Sequence, residues 1–175
     1  MREEKDLRLF FALWPDENVR DQIEQNLKRF PSAAGRIVPR HNWHMTLHFI
    51  GNTSFEEKDC LHQQAKKLRA AQFNLTIDRC GFFKKPKVFW LGCEQTLKAL
   101  SALQRELGNL LAHCSYKPET RPYSPHVTVA RKVLKSPEPI EMDPVAWPVH
   151  KFALIRSVSV KSGVRYDVIE QYRLN

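Results

Sequence analysis

The chain has 175 residues, 42% of them hydrophobic, which suffices for one core of an ordinary soluble protein and is short for a multidomain assembly. Twenty-eight lysines and arginines outnumber 19 aspartates and glutamates, and the resulting charge of +9 favours an anionic partner, with nucleic acid and phosphate esters first. No apolar run approaches the roughly 18–20 residues of a membrane span, the N-terminus lacks the pattern of a signal peptide, and four scattered cysteines (Cys60, Cys80, Cys93, Cys114) without a C-x-x-C pair read as reduced thiols in a cytoplasmic protein.

In chain order, "LRLFFALW" reads as a short strand closed by Pro15. Asp16 is placed to cap a helix from Glu17 to Phe30, with Val19, Ile23 and Leu27 on one face. Pro31, Gly35 and Pro39 break up a loop before "NWHMTLHFIG", whose strict alternation predicts a half-buried strand. Met45, Leu47 and Phe49 would face a core, and His44, Thr46 and His48 would share the other side. Ser54, three residues before Glu57, makes a capping box for a helix over 55 to 70. "FNLTIDRCGFF" and "KVFWLGCE" read as two strands of a hairpin through "KKP".

Thr96 then caps a helix through Ala112, with Leu97, Leu100, Leu103, Leu107 and Leu111 as its apolar stripe. After a loop with Pro118 and Pro122 comes "SPHVTVAR", a second alternating strand. A proline-rich stretch from Pro137 to Pro148 interrupts, and "FALIRSVSV" with "VRYDVIEQYRL" closes the chain as a hairpin across Ser162-Gly163. Strands that come in pairs, rather than in strict βαβ alternation, predict an α+β protein with mainly antiparallel sheets.

His44-x-Thr46 thus recurs as His126-x-Thr128, again on a predicted strand. Seven histidines and six threonines placed at random give about 0.24 such tripeptides in a chain of this length, so two on alternating strands is a specific signal. Residues two apart on a strand share a face, about 6–7 Å apart. Two such strands facing each other present two imidazoles and two hydroxyls around one cavity. Imidazoles titrate near neutrality and serve as acid and base in one step, and hydroxyls donate to anionic oxygens without adding charge. A phosphodiester flanked by that pair is cleaved without any metal.

On "RLFFAL", "HMTLHFIG", "FWLG", "RPYSPHVTVAR" and "RYDVIEQYRL", which together span Arg8 to Leu174, the sequence resembles the 2H phosphoesterase superfamily and within it the RNA 2′,3′-cyclic phosphodiesterases, also called 2′-5′ RNA ligases. The resemblance implies one domain over 1–175 made of two similar lobes with pseudo-twofold symmetry. Each lobe would bring one His-x-Thr strand to a central cleft. It implies hydrolysis of a terminal 2′,3′-cyclic phosphate on RNA to a 2′-phosphate, with 2′-5′ ligation as the reverse reaction, no cofactor, and a monomer as the acting unit. By the same resemblance His44 is the proton donor, His126 the proton acceptor, and Thr46 and Thr128 hold the phosphate oxygens. Arg131 is a further phosphate-binding candidate. Five positions from His126, it reaches the site only where the strand ends or bulges first.

Other readings compete. A lone His-x-Thr is an ordinary strand surface, and His41, His44 and His48 together resemble a metal cluster, although no cysteine or carboxylate ligand lies nearby. His48 is expected at the rim of the site. The clusters Lys66-Lys67, Lys84-Lys85-Lys87 and Arg131-Lys132 read first as solvated faces. Phe10, Phe11, Trp43 and Trp90 read as core, with one exposed ring left to stack on a base. At the level of function, the alternatives are a module that binds RNA ends or nucleotides without turnover, and a phosphodiesterase for a small cyclic nucleotide or ADP-ribose cyclic phosphate.

Overall fold

A computed structural model describes residues 7–30, 35–138 and 141–175. Ten strands and three α-helices appear there in the order β1 (Leu7–Leu13), α1 (Glu17–Leu27), β2 (Arg36–Ile37), β3 (Met45–Thr53), α2 (Phe55–Ala65), β4 (Phe73–Ile77), β5 (Arg79–Phe83), β6 (Val88–Gly92), α3 (Lys98–Leu111), β7 (His126–Arg131), β8 (Val145–Val149), β9 (Lys151–Val160) and β10 (Gly163–Arg173). Seven strands form one path, β10-β9-β1-β3-β7-β6-β5, with β2 added beside β7, and β4 pairs with β8 in a separate sheet. Every pairing is antiparallel. The α+β expectation holds.

Capping follows the sequence closely for two helices. The Asp16 carboxylate accepts from the Val19 amide, and Ser54 and Glu57 form the reciprocal capping box. The first two helices nevertheless stop early, at Leu27 and Ala65, where the apolar periodicity gives way to polar turns. Thr96 is not a cap. The helix it was expected to open begins after Leu97, without a side-chain cap. Burial of Leu100, Leu103, Leu107 and Leu111 holds this helix instead.

The helices and the small sheet cover one face of the large sheet. Leu9, Phe11, Leu13, Met45, Leu91 and Val127 meet Val19, Ile23, Leu61, Leu103 and Trp147 in one core. The opposite face carries a smaller apolar patch, Phe10, Ala12, Ala153 and Ile155, bordered by Trp14, Tyr166 and Val168. Both His-x-Thr strands are central in this sheet. β3 and β7 touch through a single pair, Met45 opposite Val127, and then diverge. The freed far end of β7 accepts β2 instead.

Two further differences from the sequence reading concern segments rather than side chains. The end of the proline-rich stretch lies in strand β8, which includes Pro148 and pairs with β4. Pro148 lacks an N–H, and a two-stranded sheet tolerates that because one side of each strand is an edge. "FNLTIDRCGFF" is two strands in two sheets, since β4 pairs with β8 while β5 turns back on β6. The closing hairpin is present, with Val160 opposite Gly163.

Cys60 and Cys114 are joined as a disulfide, with Cα atoms 5.8 Å apart, while Cys80 and Cys93 are not disulfide-bonded. The expectation of four reduced cysteines is therefore corrected. Two cysteines 54 positions apart carry no local spacing signal. Only the packing of α2 beside the end of α3 brings them together. No helix among the described residues is long and apolar enough to cross a membrane.

Candidate active site

His44 stands just before β3 and His126 opens β7, and each is held the same way. The Nδ1 of His44 bonds the carbonyl of Asn42 at 2.7 Å, and the Nδ1 of His126 bonds the carbonyl of Ser124 at 2.8 Å. In both, the partner lies two residues earlier. A carbonyl can only accept, so Nδ1 carries the proton in each ring and Nε2 is left for the open face.

The carbonyl partners are themselves anchored. Asn42 is buried and its side-chain amide donates to Val164 in β10 at 2.9 Å. Arg40, two residues earlier, reaches Glu17, Asp21 and Glu24 of α1 at 2.8, 2.6 and 3.0 Å. On the other side, Tyr123 donates its hydroxyl to the backbone carbonyl of Thr46 at 2.8 Å. This bond links the loop before one motif to the strand of the other.

Aromatic rings enclose both imidazoles. Phe10 lies 4.8 Å from His44 between centroids, Tyr166 5.1 Å edge-on, and Trp14 5.9 Å and nearly parallel. Phe83 stands edge-on to His126 at 5.0 Å, with Trp90 at 6.3 Å. Trp90 fits because residue 81, beside it on β5, is glycine: a Cβ there would lie 2.1 Å from the indole. Phe10, Phe11 and Trp43 are buried as expected, Phe10 in the smaller patch beside His44, whereas Trp90 is only half-buried and lines the His126 side.

The electrostatic result is that both imidazoles prefer to be neutral. Burial pushes His44 from its ordinary 6.5 down to about 4, opposed by the Asn42 carbonyl and reinforced by the Arg131 and His126 charges. Burial likewise lowers His126, opposed by the Ser124 carbonyl and reinforced by Arg131. Arg131 is therefore close enough to act on both rings. The two threonine hydroxyls have no hydrogen-bond partner among the described residues.

A strand irregularity explains why Arg131 shares their face. In the β6–β7 register Phe89 opposes Ala130 and Trp90 opposes Thr128, so Val129 is the extra residue of a bulge. That one-residue step restores Arg131 to the face of His126 and Thr128. β3 does the same at Leu47, between the Phe11–His48 and Ala12–Thr46 pairs. Beyond that point His48 turns into the core and Phe49 turns out.

The placement of both is thus the reverse of the expectation. His48 is buried, its Nε2 2.6 Å from the Gln104 carbonyl and its Nδ1 3.1 Å from the Tyr116 hydroxyl. It is no rim residue. Phe49 is half-exposed, with the Arg8 guanidinium 5.3 Å over its ring. Phe49 occupies on β3 the position that Arg131 occupies on β7, five after the histidine, and alternation alone had hidden it. With His48 turned away, the histidines of this segment do not converge on a metal position. No group of three or more His, Cys, Asp or Glu side chains suited to a metal ion occurs among the described residues.

Fold and site together define an α+β protein in which two His-x-Thr strands, bulged alike and neighbours in one sheet, present their imidazoles on one face. The model of the 2′-5′ RNA ligase superfamily matches residues 15–160. The RNA 2′,3′-cyclic phosphodiesterase of Escherichia coli (strain K12) is 31% identical over 172 residues, 95% of this chain and 96% of that protein, and its namesake from Thermotoga maritima is 31% identical over 93% of each. The crystal structure of E. coli LigT in apo form superposes with a TM-score of 0.86 at 30% identity, covering 98% of this chain and 99% of that one. The LigT complex with 3′-AMP gives 0.85 at 31%, covering 97% and 98%. The chain belongs to the 2′-5′ RNA ligase superfamily.

Proposed function

We propose that this protein hydrolyses the 2′,3′-cyclic phosphate at the end of an RNA to a 2′-phosphate, by metal-independent proton transfer between two histidines. The observation that carries this reading is the matched pair of imidazoles, each with Nδ1 locked to a backbone carbonyl and Nε2 left free, beside two unpartnered threonine hydroxyls. A binding module has no need of two oriented titrating groups. Near-full-length similarity to proteins named RNA 2′,3′-cyclic phosphodiesterase supplies the substrate class.

In this reading the chain works as one unit of two similar lobes, and the monomer suffices because one chain supplies both motifs. The cyclic phosphate lies between the two rings. Thr46 and Thr128 donate to its non-bridging oxygens, and Arg131 balances their charge. Neutral His126 accepts a proton from the attacking water at Nε2. Protonated His44 delivers one from Nε2 to the departing 3′ oxygen, which leaves the phosphate on the 2′ oxygen. When a 5′-hydroxyl takes the place of water, His126 and His44 keep these roles and a 2′-5′ linkage forms; cleavage of that linkage back to the cyclic phosphate is the reverse step, in which the histidines exchange roles. The reading also takes the activity to be cytoplasmic.

The test is an RNA with a 3′-terminal cyclic phosphate, incubated with the protein in EDTA, with the product phosphate located. Conversion to 2′-phosphate is expected. A 3′-phosphate product would reverse the assignment of the leaving oxygen, and activity only on restoring a divalent ion would replace the two-histidine chemistry.

A further inference from the structure

Arg36 and Arg131 sit directly opposite each other on adjacent antiparallel strands, β2 and β7. Residues so paired point to the same face with Cβ atoms about 4.5–5.5 Å apart, and like charges there are destabilising. Both are exposed, and neither has a carboxylate partner among the described residues. Other arginines among the described residues also lack an ion pair, but Arg36 and Arg131 are the two that face each other directly in a strand register.

The juxtaposition is built rather than accidental. Gly35 lets β2 approach β7 closely, because a Cβ at that position would lie 2.9 Å from the Arg131 carbonyl and 2.8 Å from a Val133 methyl. The Arg36 guanidinium is then drawn across to the β9–β10 turn, where its Nη2 donates to the Ser162 carbonyl at 2.8 Å. That bond uses one of five donors and supplies no negative charge. Two cations on facing strand positions, with no carboxylate partner among the described residues, form a site for an anion.

We infer that Arg36, together with Arg131, holds a second phosphoryl group of the substrate, the one on the 5′ oxygen of the ribose that bears the cyclic phosphate. The inference rests on the proposed function for the identity of the first phosphate. From Thr128 to Arg131 the strand advances about 7–10 Å, so the pair lies within one ribose of the reacting phosphorus. In an RNA that 5′ phosphoryl is the preceding phosphodiester; in a free nucleotide it is a terminal monophosphate. Recognition of this group makes the protein an enzyme of 5′-phosphorylated or chain-embedded ends, with weaker hold on a bare nucleoside cyclic phosphate.

Equilibrium binding tests this independently of turnover. The probes are adenosine 2′-monophosphate, adenosine 2′,5′-bisphosphate, and a dinucleotide ending in a 2′-phosphate, titrated against the native protein, Arg36→Gln and Arg36→Lys. Native protein is expected to hold the second and third probes at least about 10-fold tighter than the first, Arg36→Gln to lose that margin, and Arg36→Lys to keep most of it. The salt slope of dinucleotide binding should shrink by about one in Arg36→Gln. A margin for the dinucleotide alone would assign the site to the chain phosphodiester; a margin for both assigns it to the phosphoryl group wherever it comes from. No margin in the native protein, or equal losses for all probes in both variants, overturns the inference, the latter because Arg36 then serves only to anchor the turn. Cyclic-phosphate hydrolysis is followed in parallel. A margin without hydrolysis removes the proposed function and leaves the second site, and hydrolysis without a margin does the opposite.

Discussion

His44 and His48 differ in what their loss should do, although four positions apart on one short segment. His44 lies on the open face with Nε2 free, and His126 matches it across the sheet. His44→Ala or His126→Ala should lower turnover about 10²–10⁴-fold with little loss of stability. His48 donates from Nε2 to the Gln104 carbonyl and accepts at Nδ1 from Tyr116, beneath α3. His48→Ala should cost about 2–4 kcal/mol in denaturant unfolding, from lost hydrogen bonds and a cavity. Burial lowers the His48 pKa below its ordinary 6.5. The unfolded chain therefore takes up protons first as pH falls from that value, and stability should decline on acidification. That His48 contribution to the decline should be absent in His48→Ala. A variant that keeps full stability but loses turnover as severely as His44→Ala would return His48 to the site. In the sequence the first three residues of each motif were legible, because alternation holds over them. After the bulges only Arg131 was named, through the family resemblance and on condition of a bulge, while His48 and Phe49 were assigned to the wrong faces. Val129-Ala130, two apolar residues in succession, offered the one signal of a bulge, and at Leu47-His48 the polar ring concealed it.

Elements were easiest to read where local chemistry decides them. Asp16 and the Ser54–Glu57 box set two helix starts, and the leucine stripe set the third helix's buried face. Pairings between distant segments were not legible. Strand β8 hides in a proline-rich stretch because its partner among the described residues, β4, lies about 70 residues earlier. The disulfide between Cys60, on α2, and Cys114, in the 3₁₀ turn after α3, is of the same kind. It closes a 54-residue separation, for which chain entropy gives a stabilisation of about 4 kcal/mol as an upper figure. Reduction, or Cys60→Ser with Cys114→Ser, should lower unfolding stability by about 2–4 kcal/mol. The imidazoles lie on the other side of the sheet, so turnover below the melting range should change little. A mobility shift on non-reducing gels that is absent from the double variant would show the bond directly; identical melting with and without reductant would remove it from the account of stability.

At the scale of the whole molecule, the sheet places two histidines and an arginine in one field, and that field has a consequence for the proton inventory. Burial holds His44 to about 4 and keeps His126 below 6.5, and the Arg131 charge depresses both. The free protein at neutral pH therefore has both imidazoles neutral, whereas the proposed chemistry needs one of them protonated. A bound phosphodiester resolves this, because its negative charge offsets Arg131 and favours an imidazolium beside it. Binding should accordingly draw in a proton, and affinity should strengthen as pH falls toward the free-protein values. Calorimetry with a cyclic phosphorothioate, a slowly cleaved diester without a titration of its own near neutrality, should show net proton uptake at pH 6.5 when buffers of different ionisation enthalpy are compared. The quantity kcat/KM should trace a bell whose maximum lies on the acid side of 6.5, with limbs that belong to the pair rather than to either ring. Arg131→Gln removes the cation that lowers both histidines, so both limbs should move to higher pH while the peak rate drops. A bell centred well above pH 7, or one that Arg131→Gln leaves in place, would mean that this field does not set the protonation of the reacting pair.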